Sequence, residues 1–194
     1  MVARALKAHI WDKEANGHYV EPRWCSERLF EVEQFLPRRI VDPCCGFGHI
    51  LVAADLAGYQ IHGNDIVDRG FPDTAVADFF TADWRCSNIV CNPPFEVFKD
   101  FALKALEVAT TKVAMISLIR TLPAARWLKD TPLARVHLLT PRPSMPPGYT
   151  IAAGQKPGGG TQDFCWLVWE HDHRGAPELR WLHRDATPAA EPSP

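Results

Sequence analysis

Residues 38–65 read RRIVDPCCGFGHILVAADLAGYQIHGND, and this stretch decides the fold. An apolar run at Ile40 and Val41 is stopped by Asp42-Pro43. Gly46 and Gly48 follow, and then Ile50, Ala53, Ala54 and Ala57 recur at helical spacing as far as Gly58, a residue suited to a C-cap. The spacing predicts a strand over 38–45, a helix over 48–59 and a second strand over 60–67. Two strands with a helix between them form a crossover unit, the building block of a parallel sheet.

The same alternation continues downstream. A weaker strand is expected over 75–80, a strand over 88–94 and an amphipathic helix over 95–110, with Phe98, Phe101, Ala102, Ala105 and Leu106 on one face. A strand over 112–119, a helical segment over 124–130 and two late strands over 135–141 and 163–171 complete the reading. The fold class is α/β, a Rossmann-like doubly wound sheet that is mostly parallel. Late strands with no long helix between them supply antiparallel C-terminal strands. The Gly- and Pro-rich stretch 144–162 is expected to be a long mobile loop, and 186–194 a disordered tail. The organisation is thus an N-terminal segment over 1–37, one domain over 38–185 and the tail.

Composition narrows the class. At 194 residues and 46% hydrophobic content, the chain suits one compact domain. No apolar run is long enough to span a membrane, and the first residues lack the apolar core of a secretion signal. The six cysteines include no CxxC pair, which fits reduced thiols and a cytoplasmic location. His171-Asp172-His173 on a polar stretch reads as solvated, so no metal site is expected. The formal charge of −2 hides an asymmetry: 112–163 holds seven basic residues against two acidic ones. Such a segment can mark a surface that faces a polyanion, or be a chance cluster on a solvated face.

The glycine turn opens the first long helix, where backbone without Cβ can approach a ligand closely. Seventeen residues after Gly48, Asp65 ends the second strand, a place from which a carboxylate can accept hydrogen bonds from a ribose diol. A dinucleotide fingerprint would have glycine in its third place, and here Leu51 stands there. Asp42, just before the turn, would repel a pyrophosphate and attract a cationic sulfonium. These features favour S-adenosylmethionine over a nicotinamide cofactor. Asn92-Pro93-Pro94-Phe95 ends the fourth strand on the same sheet edge. The prolines fix their own φ and constrain Asn92, so the tetrapeptide is a rigid hook. An Asn carbonyl beside a Pro carbonyl receives both protons of an –NH₂ group, and Phe95 offers a face for stacking a planar ring.

The chain resembles the class I methyltransferases that use S-adenosylmethionine and carry a [DNS]PP[YF] motif, above all the DNA adenine-N6 methyltransferases. DPCCGFG, with Asp42, Pro43, Cys44, Gly46 and Gly48, matches their first cofactor motif. Asp65-Ile66 matches the acidic segment that holds the ribose. Asp78-Phe79 matches the segment that recognises the cofactor adenine. Asn92 to Phe95 matches the catalytic motif, with Asn92 also beside the cofactor. Upstream, HYVEPRWCSERLF resembles the segment that covers the methionine end of the cofactor, which assigns Tyr19 and Pro22 to it. The family usually has Thr where this chain has Glu21. RTLPAARWLKD and DFCWLVWEHD are similar to stretches of small phage and prophage methyltransferases. The resemblance spans about residues 18 to 171 and implies a base flipped onto the hook.

The methyltransferases that read a DNA sequence normally add a target-recognition domain, and none is expected here. Sequence specificity is then weak, or supplied by a partner or a homodimer. Arg120, Arg126, Arg142 and Lys156 are the candidate phosphate contacts. Trp127, Trp166 and Trp169 read as core. An RNA adenine, a protein glutamine amide, or a non-catalytic cofactor-binding module are the competing readings.

Overall fold

The computed structural model describes residues 17–155 and 158–185. Helix α1 (Trp24–Val32) precedes strand β1 (Arg39–Asp42), α2 (His49–Leu56), β2 (Gln60–Asp65), β3 (Ala75–Val76), β4 (Cys86–Cys91), α3 (Phe98–Val108) and β5 (Ala109–Leu118). Then follow β6 (Leu133–Thr140), the short α4 (Gly148–Ala152), β7 (Phe164–Glu170) and β8 (Glu178–His183). The strands form one eight-stranded sheet in the order β3-β2-β1-β4-β5-β7-β6-β8. The pairs β1–β2, β1–β4, β2–β3, β4–β5 and β6–β8 are parallel, and β7 runs antiparallel to both β5 and β6. The expected α/β sheet with an antiparallel C-terminal element is therefore present, and β7 alone is reversed among the described strands.

Helices on both faces explain why the central strands are apolar throughout rather than alternating. On one face α1 and α2 bury Leu29, Ile50 and Leu51 against Ile40, Val90, Ile116 and Trp166. On the other, α3 buries Phe98, Phe101, Ala102 and Ala105 against Val41, Ile89, Met115 and Leu167. Those α3 positions follow the 3.6-residue period, and exposed Leu103 and Glu107 face away from the sheet. Trp166 and Trp169 are fully buried, as expected, and their indole N–H groups donate to Cys25 O and Thr131 Oγ1.

Several elements differ from the sequence reading. Residues 124–130 do not form an α-helix. The chain makes tight 3-10 turns at Ile119–Thr121 and Arg126–Asp130, with Pro123 between them. The Gly- and Pro-rich stretch holds α4 and is tied down by a Tyr19–Pro147 bridge, so it is not one unstructured loop across its described part. β8 carries no clean alternation and was not expected. Strand 75–80 shortens to two residues, because Asp78 caps a 3-10 turn at Phe79–Thr81. Residues 186–194 and Lys156 lie outside the described residues. Among those described, no helix is long and apolar enough to cross a membrane.

Candidate cofactor and acceptor site

The sheet order reverses between β1 and β4: β1 leads leftward to β2, whereas β4 leads rightward to β5. At such a switch point the loops leave in opposite directions and open a crevice at the strand C-termini. Asp42-Pro43-Cys44 ends β1 and Asn92-Pro93 ends β4, so the topology brings two motifs about fifty residues apart in sequence to one crevice. A cavity of about 400 Å³ occupies it. Tyr19, Asp42, Pro43, Cys44, Gly46, Asp65, Ile66, Asp78, Phe79, Asn92 and Pro94 line it, as the sequence reading grouped them. Pro22, Gly48, Pro93 and Phe95 do not.

The glycine turn has a local explanation. Gly48 has φ +78°, and a Cβ there would lie 2.0 Å from the Phe71 ring. Gly46 has φ +53°, and its Cβ would meet His18 Nε2 at 2.6 Å. Gly48 thus shapes the start of α2, while Gly46 makes room for the segment that covers the cavity. That segment, residues 17–21, is held by Val20 N donating to Pro146 O and Gly148 N donating to His18 O, both at 2.9 Å.

Three buried carboxyls face the cavity. Asp65 accepts from Gly46 N at 2.8 Å and from Val67 N at 3.0 Å, which clamps the glycine turn to the end of β2, and Arg69 Nε lies 3.7 Å away. Asp42 accepts from Cys44 N at 3.1 Å. Burial pushes the Asp42 carboxyl well above its usual range, and the neighbouring Glu21 and Asp65 add to this. Burial likewise raises Glu21. Asp78 lies at the other end of the cavity, exposed, with Oδ1 accepting from Phe80 N at 2.9 Å. The Cys44 thiol is pushed up by burial and by the Cys91 thiol, and Cys45 by burial to about 12. The cavity therefore offers carboxyl and amide groups, not a thiolate nucleophile.

Asn92 is pinned. Its Nδ2 donates to Tyr19 O at 2.8 Å and to Glu21 Oε2 at 2.9 Å. Both partners are acceptors, so the amide sits with nitrogen toward the covering segment and Oδ1 on the opposite side. Pro94 O accepts from Val97 N at 3.2 Å and opens the 3-10 turn Phe95–Val97 that leads into α3. Phe95 lines a second cavity of about 550 Å³, together with Tyr19, Glu96, Arg120, Met145, Phe164 and the 158–162 stretch. Tyr19 and Glu96 thus line both spaces. The Tyr19 and Phe95 rings stack at 6.5 Å with 18° between their planes.

Of the candidate phosphate contacts, Arg120 lines the second cavity and Arg126 is exposed. Arg142 is exposed but paired with Asp163, Nε to Oδ1 at 2.6 Å. The basic excess over 112–163 is not a continuous outward surface. Lys112 and Arg135 point into a buried ion cluster with Glu33 and Glu170, because both sit on strands whose faces are covered. Sequence reasoning did not assign Glu21, His18, His49 or Arg69, which also line the first cavity. The signal that was available for Glu21 was its place inside the covering segment, where the family has Thr.

No family model matches the chain, and no curated protein matches it. Solved structures do. A proposed RNA methyltransferase of Pyrococcus horikoshii superposes with TM-score 0.58 at 15% identity, covering 76% of this chain and 83% of that one. A proposed class I S-adenosylmethionine-dependent methyltransferase of Listeria monocytogenes gives 0.52 at 11% identity, over 83% and 62%. The M protein of the type I restriction enzyme EcoKI gives 0.56 at 14%, and here the match spans 79% of this chain but only 44% of that protein. Likeness at these identities speaks to architecture, and together with the strand order it establishes that the chain has the class I methyltransferase fold.

Proposed function

We propose that the protein binds S-adenosylmethionine in the first cavity and transfers its methyl group to an exocyclic amino group, N6 of adenine in DNA. The observation that carries this reading is the pinned Asn92 amide on the rim of the first cavity, one residue pair away from the ring that lines the second. The buried carboxyls of Asp42 and Asp65 fit a ligand bearing a positive sulfonium better than one bearing phosphates. Asp42, Asp65 and the glycine turn would hold the cofactor's methionine and ribose portions, and Asp78-Phe79 its adenine. The cofactor supplies an electrophilic methyl group.

The residues do the rest by position. Asn92 Oδ1 and the Pro93 carbonyl accept the two amino protons of the acceptor, because the Pro94 carbonyl is already taken by Val97 N–H. Holding both protons turns the nitrogen lone pair out of conjugation, toward the methyl group. Phe95 and Tyr19 flank the flat ring. An adenine reaches that cavity only when extruded from the duplex, and Arg120 on its wall is placed to meet a phosphate.

The test is incubation with S-adenosylmethionine and unmethylated duplex DNA, followed by digestion and mass spectrometry of the nucleosides. N6-methyladenine is expected, with the rate for Asn92→Ala lower by about 10²–10³-fold. A folded, cofactor-binding protein that makes no product on duplex or single-stranded DNA, but methylates RNA, would move the acceptor to RNA.

A further inference from the structure

Glu21 is a buried carboxyl of the cavity to which the methyl-transfer reading gives no contact of its own. It is 6% exposed, and its side chain reaches from the covering segment to the amide of Asn92. Its backbone is fixed on both sides: His49 Nδ1 lies 3.0 Å from Glu21 O, and the preceding Val20 N donates to Pro146 O at 2.9 Å. Nothing in the cavity's cofactor chemistry asks for a third carboxyl on the Asn92 side, and leaving one buried is costly unless it makes a specific bond.

An Asn side chain can be turned by half a rotation about its last bond at little steric cost, which exchanges Oδ1 and Nδ2. For an acceptor hook that exchange is fatal, since an NH₂ group would then face the amine. Tyr19 O favours one orientation with a single bond. Glu21 Oε2 adds a second acceptor on the same nitrogen, so both N–H donors are satisfied only when Oδ1 faces away. We infer that Glu21 is a positioning residue that locks the Asn92 amide with its oxygen toward the acceptor. The inference rests on Asn92 being the hook, and it concerns how the hook is held. It also ties the hook to the covering segment, because Glu21 belongs to that segment and not to the sheet.

The experiment has one readout that does not depend on activity. In ¹⁵N-labelled protein the Asn92 NH₂ pair is assigned by its disappearance in Asn92→Asp. Wild type and Glu21→Gln, which keeps an acceptor, are expected to show two well-separated resonances protected from exchange. Glu21→Leu, which keeps bulk and removes the acceptor, is expected to lose that protection by about tenfold or more. In turnover, kcat of Glu21→Leu falls about tenfold or more with the cofactor KM within about threefold, and Glu21→Gln recovers to within about threefold of wild type. Glu21→Ala replaces Glu21→Leu if the latter does not fold. Unchanged Asn92 resonances in the acceptor-less variant overturn the inference, as does Glu21→Gln turning over as slowly as Glu21→Leu. Wild-type protein that makes no methyladenine while the resonances behave as expected upholds the positioning and overturns the acceptor assignment.

Discussion

Asp42 is almost wholly buried at the end of β1, and its proton is held by burial and by the charges of Glu21 and Asp65. Its folded-state pKa is raised above the unfolded one. Its contribution to the stability of the ligand-free protein is therefore complete below the unfolded value, about 3.9, and is lost as pH rises through the raised value. A cation in the cavity reverses the preference by favouring the carboxylate, so binding it releases a proton. Cofactor affinity should rise with pH above the ordinary carboxylate range, and titration calorimetry in two buffers of different ionisation enthalpy should show proton release. Asp42→Asn, which can still accept from Cys44 N–H, should flatten the pH dependence. An unchanged slope in that variant would mean that another group carries the proton.

At the scale of elements, the β1–turn–α2 unit was legible because its constraints are local. Gly48 needs φ +78° whatever the rest of the chain does, and the apolar spacing behind it has only one face to bury. Gly48→Ala combines a strained backbone with a Cβ 2.0 Å from the Phe71 ring. It should cost about 1–3 kcal/mol, and the accompanying fall in melting temperature should be roughly 2–4 °C per kcal/mol for a chain of this size. Thermal unfolding followed by circular dichroism measures it, and an undiminished melting temperature would refute the steric argument. β8 was not legible for the opposite reason. It is an edge strand of mixed residues in which only Leu182 is buried, so neither face imposes a period-two pattern. The stretch 124–130 was misread because helical spacing in a short stretch does not separate α from 3-10 geometry.

Across the whole molecule, the two edges of the sheet divide the labour. The cavity lies at the C-terminal edge of the parallel strands. At the other edge Glu33, which follows α1, accepts from Lys112 Nζ at 2.9 Å, from Arg135, and lies 2.9 Å from His137 Nε2, while Lys112 also meets Glu170 at 2.8 Å. Burial alone would raise the Glu33 carboxyl, but the bonds from His137, Arg135 and Lys112 outweigh it and hold it well below the usual range. Such a depressed group contributes stability that is present above its unfolded pKa and is lost as pH falls through the folded one, so acid should weaken the fold from about pH 4.5 downward. Glu33→Ala leaves Lys112 and Arg135 with Glu170 as their one shared carboxylate and should cost about 3–5 kcal/mol by denaturant unfolding, with cofactor affinity unchanged. Equal stability of the variant would show that the cluster is not coupled as its geometry implies. The same cluster shows why the charge asymmetry over 112–163 left two readings open: a one-dimensional count does not know which cations point inward. The residues round the first cavity could be grouped from sequence because strand ends fix where side chains go, whereas the bond between Glu21 and Asn92 joins residues 71 apart and leaves no local trace.

The roof of the cavity has a temporal consequence. Residues 17–21 leave the ribosome before any strand of the sheet, yet the partners that hold them down, Pro146 to Gly148, come after β6. A nascent or truncated chain can pair β1, β2, β4 and β5 and still lack a closed pocket. Closing the pocket thus waits for a segment made after six of the eight described strands.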